Sequence, residues 1–123
     1  MKLTIVEKRI EELQPYEHNP RKNGAAIEAV AASIKEFGFK VPIVIDRDGV
    51  IVAGHTRVQS AKLLGLASVP CIIADDLTDD QIRAFRLADN KTAELAEWDD
   101  DLLKEELEAL ANIDMTPFGF ELE

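Results

Sequence analysis

The 123-residue sequence contains one cysteine, one tryptophan and two histidines. A single cysteine excludes an internal disulfide framework, and two histidines without cysteine partners do not make a structural zinc site. No apolar run approaches the length that crosses a membrane, and the amino terminus alternates charged with apolar residues instead of resembling a signal peptide. We therefore expect a cytoplasmic protein with no membrane partner.

Basic residues are scarce in the second half of the chain. Residues 1–74 carry 10 Lys and Arg against 8 Asp and Glu, whereas residues 75–123 carry 4 against 16, and the whole chain has a net charge of −10. DNA affinity depends mainly on neutralising phosphates, so a domain this acidic is a poor general DNA binder. We expect contact with DNA only through another domain or a partner. Most of the acidic half fits solvated helix faces.

Apolar periodicity in the first half predicts alternating strands and helices. Asn23 can cap a first helix that Gly38 ends, and a second helix runs from His55 to Gly65. Cys71 falls within an apolar strand and is expected in the core. The fold class is therefore α/β (α+β), a small mixed sheet with flanking helices. The predicted strands are residues 3–8, 41–45, 50–53 and 68–73, with a hairpin turn at 46–49.

The second half is predicted to be helical. Thr78 and Gln81 have the spacing of a capping box, and the helix that they begin is expected to end at residues 87–90. Three aspartates, Asp99 to Asp101, suit the positive end of a last helix. Trp98 opens that helix and is expected to be a core anchor. The apolar seam of the last helix consists of Leu103, Leu107 and Leu110.

These patterns divide the chain into one domain, residues 1–111, and a tail or linker, residues 112–123. Within the domain the α/β core covers about 3–75 and the C-terminal helices cover about 76–111. The chain could also be a fragment of a longer protein. Two aromatic residues of the tail are candidates for docking on the domain, Phe118 and Phe120.

The most informative segment is Gly54-His55-Thr56-Arg57, which joins an apolar strand to an apolar-periodic helix. Glycine at such a junction lets the backbone approach a ligand closely. The N–H groups at the helix start, together with the Arg57 charge, then make an anion site that suits phosphate. A tight turn without a ligand is the alternative. Two cations of the proline-containing loop add positive charge to the same region, Arg21 and Lys22.

Several segments, taken in order, resemble the N-terminal domain of the ParB/sulfiredoxin superfamily over roughly residues 3–97. The further run 88–99 is similar to a narrower branch, in which a ParB-like module precedes a DNA methyltransferase in phage-like or mobile-element proteins. The resemblance implies a regulatory or targeting module of a DNA-modification, DNA-partition or mobile-element protein, and it leaves a homodimer open. The matching segments are Asn19-Pro20-Arg21, 32–38, Pro42-Ile43-Val44, 53–57 and Asp89-Asn90-Lys91.

The resemblance implies nucleotide binding at the turn. In ParB proteins the corresponding turn reads G-E-R-R and holds the phosphates of CTP. Gly54 and Arg57 match this pattern, whereas His55 and Thr56 depart from it. We expect His55 to offer a backbone N–H and a side-chain donor to a phosphate. The implied cofactor is a nucleoside triphosphate, CTP or ATP, with Mg²⁺.

A second family motif, E-N-x-x-R, is matched in part. Asp89 and Asn90 correspond in chemistry and are the implied Mg²⁺ ligands, since Mg²⁺ prefers carboxylate and amide oxygens together with phosphate. A helix C-terminal cap is the alternative for this pair. Ala93 replaces the arginine, and Lys91, two residues earlier, is the candidate to substitute for it.

Whether the domain is an enzyme stays open, with the balance toward binding alone. The resemblance extends to free-serine kinases, in which a glutamate of the N-terminal loop acts near the transferred phosphate. Glu17 is the candidate general base, and an exposed loop glutamate is the alternative. Sulfiredoxins carry a nucleophilic cysteine where this chain has His55. A ParB-like nuclease would need clustered acidic metal ligands and a basic track, which the sequence does not show.

Overall fold

The computed structural model describes residues 3–17, 19 and 24–121. Four strands form one mixed sheet in the order β1-β4-β2-β3. Strand β4 pairs antiparallel with β1 and parallel with β2, and β2 pairs antiparallel with β3. The predicted small mixed sheet is confirmed, although β2 and β3 are shorter than expected. The strands are β1 (Ile5–Arg9), β2 (Ile43–Ile45), β3 (Ile51–Ala53) and β4 (Ser68–Ile73).

Helices α1 (Gly24–Phe37) and α2 (His55–Leu63) flank the sheet, and α2 contributes to its core. The Ser60 hydroxyl of α2 donates to the Ile27 carbonyl of α1 at 2.8 Å, which ties the two helices together. Gly38 ends α1 as predicted, with its N–H bonded to the Ile34 carbonyl, whereas Asn23 lies outside the described residues. The most deeply buried apolar side chains of β2 and β4 are at most 1% exposed: Ile43, Ile45, Val69 and Cys71.

Helix α3 (Asp79–Leu95) is longer than the sequence predicted. Its start is confirmed, because the Thr78 hydroxyl accepts from the Gln81 N–H at 3.2 Å and the Thr78 N–H donates to the Gln81 side chain at 2.9 Å. The predicted end at residues 87–90 is wrong. The next five residues contain neither glycine nor proline, and most are good helix formers. Asp89 and Asn90 therefore lie inside the helix and are not a C-terminal cap.

Helix α4 (Asp100–Ala109) begins at the predicted aspartates, and the Asp99 carboxylate accepts from the Leu102 N–H at 3.1 Å. The prediction that Trp98 anchors the core is wrong. Trp98 is 68% exposed because it lies in the connection between α3 and α4 and packs beside the Phe120 ring of the tail, with ring centroids 5.9 Å apart. No helix in the described part of the chain combines the length and the apolar character that a membrane span requires.

The tail folds back onto the domain. A short 3₁₀ turn, Thr116–Phe118, packs against α1, where the Phe118 ring lies 5.2 Å from the Phe37 ring. Together with the contact between Trp98 and Phe120, this confirms both tail aromatics as docking residues. The last part of the chain described by the structure is therefore attached to the α/β core.

Candidate phosphate-binding site

The segment Gly54–Arg57 lies at the junction of β3 and α2, as the sequence predicted. Gly54 has a φ of +105°, and a Cβ there would lie 2.7 Å from the Ile43 side chain. A left-handed conformation and this close approach both require glycine. The first hydrogen bond of α2 runs from the Val58 N–H to the Gly54 carbonyl. The N–H groups of residues 55–57 therefore precede the helical ladder and are directed out of the helix start.

A cleft of about 480 Å³ opens beside this junction. The turn lines the cleft, and α3 lines it with Phe85, Asp89, Asn90 and Ala93. Asn19 of the N-terminal loop lines a further side. The volume falls in the range of ligand pockets, and the start of α2 supplies backbone donors for an anion.

The cleft also has the oxygen donors that a divalent cation needs. Asp89 and Asn90 line it from α3, and Arg57 lines it from α2. Among the described residues there is no group of three acidic, histidine or cysteine side chains that could hold a metal alone. This donor set fits Mg²⁺, which usually shares one or two carboxylates with substrate phosphates instead of occupying an all-protein cage.

Some predicted site residues are not brought to the cleft. Lys91 is exposed, does not line the cleft and pairs with Glu94 at 3.6 Å. Glu17 is exposed and also does not line it. The roles of these two side chains stay predictions. Three of the residues weighed for the site lie outside the described part of the chain: His18, Arg21 and Lys22.

The His55 side chain has a partner that the sequence did not indicate. Its Nε2 atom accepts a hydrogen bond from the Tyr16 backbone N–H at 3.2 Å. Burial, followed by the positive charge of Arg86, lowers the pKa of His55 below its ordinary value of 6.5. At neutral pH the ring is therefore uncharged, and because Nε2 accepts, its proton is on Nδ1. With Nε2 occupied as an acceptor, Nδ1 is the ring atom that can donate, and the donation of His55 to a phosphate stays a prediction.

Arg86 is the residue that sequence reasoning missed. It lies on α3, is 3% exposed and donates from Nη2 to the Ile51 carbonyl at 3.1 Å. Its guanidinium lies 3.6 Å from the centroid of the Tyr16 ring. A signal existed in the sequence: Arg86 follows Ile82 by four residues and so falls on the buried stripe of the helix.

Comparison with known proteins places this architecture in a family. The ParB N-terminal domain family matches residues 2–91. The ParB-like nuclease domain-containing protein YnaK of Escherichia coli (strain K12) is 44% identical over 81 residues, which cover 65% of this chain and 93% of that protein. The chain belongs to the ParB N-terminal domain family.

Solved structures of ParB and sulfiredoxin are similar to this chain in fold. The C-terminally truncated chromosome-partitioning protein ParB from Caulobacter crescentus, complexed with CTP-γ-S, matches with a TM-score of 0.63 and 28% identity over 71% of this chain. This chain spans 52% of that one, about half its length. Sulfiredoxin from Arabidopsis thaliana matches with a TM-score of 0.55 and 24% identity over 67% of this chain and 96% of its own. The fold is that of the ParB/sulfiredoxin superfamily.

Proposed function

We propose that this chain is a nucleotide-binding ParB-like module, which holds the phosphates of a nucleoside triphosphate, CTP or ATP, at the start of α2. The observation that carries the proposal is the junction at Gly54, where backbone N–H groups and Arg57 line a cleft of about 480 Å³. The CTP-γ-S complex of the Caulobacter crescentus relative supports it. Asp89 and Asn90 are the residues that would hold Mg²⁺, which supplies charge neutralisation for the phosphates.

The module would serve as a regulatory or targeting part of a DNA-modification, DNA-partition or mobile-element protein. Its net charge of −10 disfavours direct binding to duplex DNA, so DNA contact belongs to another domain or partner. The isolated chain should accordingly show no sub-micromolar, sequence-independent affinity for duplex DNA at physiological salt.

The test is a thermal-shift and calorimetric panel of CTP, ATP, GTP and ADP, each with and without Mg²⁺. A ligand at a hundredfold excess over its Kd should stabilise the protein by about 2.7 kcal/mol. Inorganic pyrophosphate tests whether the phosphates alone are recognised. Absence of binding by every nucleotide and by pyrophosphate would contradict the proposal.

A further inference from the structure

Arg86 is a buried cation without a carboxylate partner among the described residues. Its Nη2 atom is bonded to a backbone carbonyl, whereas its Nε atom is buried with no hydrogen-bond partner. A buried charge without a counter-ion is costly, and a buried unpaired donor adds to that cost. The ring of Tyr16 covers the guanidinium, and this cation–π contact offsets part of the free-energy cost of burying the charge. Arg86 therefore depends on the position of Tyr16.

Tyr16 depends in turn on His55. Its backbone N–H donates to the His55 Nε2 atom, and its ring lies over Arg86. Tyr16 is thus held on two sides, from the first residue of α2 and from the buried face of α3. Neither contact is local in sequence, so both exist only in the folded domain.

The N-terminal loop is attached to the sheet at Gln14, two residues before Tyr16. The Gln14 N–H donates to the Gly49 carbonyl, and the Gln14 carbonyl accepts from the Ile51 N–H, both at 2.9 Å. These bonds attach the loop to the start of β3. Two residues later Tyr16 is held as described, and Asn19 then lines the cleft. The Asn19 N–H also donates to the Tyr16 carbonyl at 3.2 Å, so the position of Tyr16 is linked to that of Asn19 at the cleft.

We propose that His55 and Arg86 are positioning residues that hold Tyr16, and through it Asn19, which lines the anion cleft, and that the cleft binds its ligand when His55 is neutral. We call Tyr16, His55 and Arg86 the latch. The ligand in this inference rests on the proposed function. The latch itself is a property of the free protein and can be tested without any ligand.

Protonation opens the latch. The charged side chains that line the cleft with His55 are Arg57 on its own helix and Asp89 on α3, and Arg86 of α3 acts on the ring electrostatically. A protonated imidazole has a hydrogen on both nitrogens, so Nε2 can no longer accept from the Tyr16 N–H. The added charge also lies near Arg86, whose field already disfavours it. Ligand affinity should therefore fall as the pH falls through the pKa of His55.

The sharpest test measures the His55 ring by NMR, in a His18→Gln background that leaves one histidine. In the free protein we expect the Nδ1–H tautomer, and a Tyr16 amide whose chemical shift changes with the same pH midpoint as the ring. The titration is then repeated with pyrophosphate and with CTP and Mg²⁺. Because linkage is reciprocal, a latch that favours binding when neutral predicts that ligand lowers the pKa of His55 further. A pKa raised by ligand, as expected for an imidazole that donates to phosphate, would overturn the proposal.

Variants separate positioning from a merely structural role. His55→Gln retains a side-chain acceptor that does not titrate, so its affinity for pyrophosphate should lose the pH dependence and should fall less than that of His55→Ala. His55→Ala should weaken binding about tenfold at pH 7.5, the size expected for one lost hydrogen bond. An affinity in His55→Gln as low as in His55→Ala would contradict the latch.

Arg86 has a matched control on the same helix. Arg86→Met should weaken pyrophosphate binding and raise the pKa of His55 toward its ordinary value. Arg83→Met removes the same charge from an exposed position and should change neither. If Arg86→Met does not fold, the ring titration and the His55 variants still decide the question.

The two proposals fail in different ways. If no nucleotide and no pyrophosphate bind to the unmodified protein, the proposed function is wrong, while the tautomer and the Tyr16 amide still report on the latch. If ligands bind but the free His55 ring carries its proton on Nε2, the latch is wrong and the proposed function stands.

Discussion

Residues 3–74 and residues 75–121 bury their side chains to different extents. The first region supplies the apolar core of the sheet and α2, including Leu13, Val58 and Ala74. The second region, among the described residues, buries only Ile82 and Arg86, both on α3. It leaves large apolar side chains exposed: Leu87, Leu95, Trp98 and Leu102. The first region therefore supplies most of the buried apolar core, and the second attaches to it through the first turns of α3 and through Phe118 of the tail, which packs against α1.

The two regions also contribute different groups to the cleft. The first region provides the α2 start and Arg57, which attract an anion, whereas the second provides Asp89 and Asn90, which can share a cation with it. Ala93, also from the second region, lines the cleft where the family resemblance expects an arginine. Under the proposed function, the comparison predicts that the first region binds the phosphates and that the second region lacks an arginine for catalysis.

The largest expected effect concerns turnover. An arginine that acts on a transferring phosphoryl group is worth roughly 10³–10⁵ in rate, so with Ala93 in its place we expect nucleotide hydrolysis to be very slow or absent even with Mg²⁺. Release of phosphate and nucleoside diphosphate, with and without free serine, measures this. Ala93→Arg tests whether the missing charge alone limits the rate. Robust turnover that Glu17→Gln abolishes would show that the protein is an enzyme and would contradict the prediction of very slow hydrolysis.

The next prediction compares stability in the two regions. Ile45→Ala removes a side chain that is 1% exposed at the centre of the sheet and should lower the free energy of unfolding by about 2–5 kcal/mol. Leu102→Ala in α4, where Leu102 is 58% exposed, should change it by less than about 0.5 kcal/mol. Urea titrations of both variants measure the difference. Equal losses would show that α4 contributes to a shared core.

Two glycines test the geometry of the junction. Gly54→Ala should cost about 2–4 kcal/mol, because it combines a positive φ with a contact of 2.7 Å to Ile43. Gly65 has a φ of +74° and nothing within 4 Å of the added methyl group. Gly65→Ala should therefore cost only the backbone part, about 1–2 kcal/mol. If urea titrations give a similar loss of unfolding free energy for the two changes, the Ile43 side chain moves to make room for the methyl group.

Two cations, one from each region, give the smallest expected effects. Arg57→Ala should weaken nucleotide binding by about 1.5–3 kcal/mol, since it removes a charge-assisted hydrogen bond to phosphate. Lys91→Ala should change it by less than about 0.5 kcal/mol, because Lys91 is exposed and lies outside the lining of the cleft. Isothermal titration of both variants decides the point. A larger loss for Lys91→Ala would show that the second region helps to bind phosphate.

What the sequence could predict was local. The strand, glycine and helix pattern around Gly54 is contiguous along the chain, so its periodicity was sufficient to locate the junction. Thr78 and Gln81 are three residues apart, and their reciprocal bonds follow from that spacing. Both predictions are confirmed by the structure.

What the sequence could not predict depends on tertiary contacts. Tyr16, His55 and Arg86 come from three separate segments, and no local pattern links them. The end of α3 was misplaced because Asp89-Asn90 resembles a helix terminus, although Asn90 instead donates to the Arg86 carbonyl one turn earlier. Trp98 was misplaced because aromatic character alone does not distinguish a core position from a contact with the tail.

Cys71 has a practical consequence for experiments. Its side chain is 0% exposed in β4, which is paired with β1 on one side and β2 on the other. Burial raises the pKa of the thiol and keeps it in the unreactive protonated form. A maleimide reagent can reach the sulfur only after the sheet opens. The labelling rate at this one thiol therefore reports how often the sheet opens. Any ligand that stabilises the folded domain should lower the labelling rate of Cys71. Ligand binding can therefore be followed without an added fluorophore or an engineered cysteine.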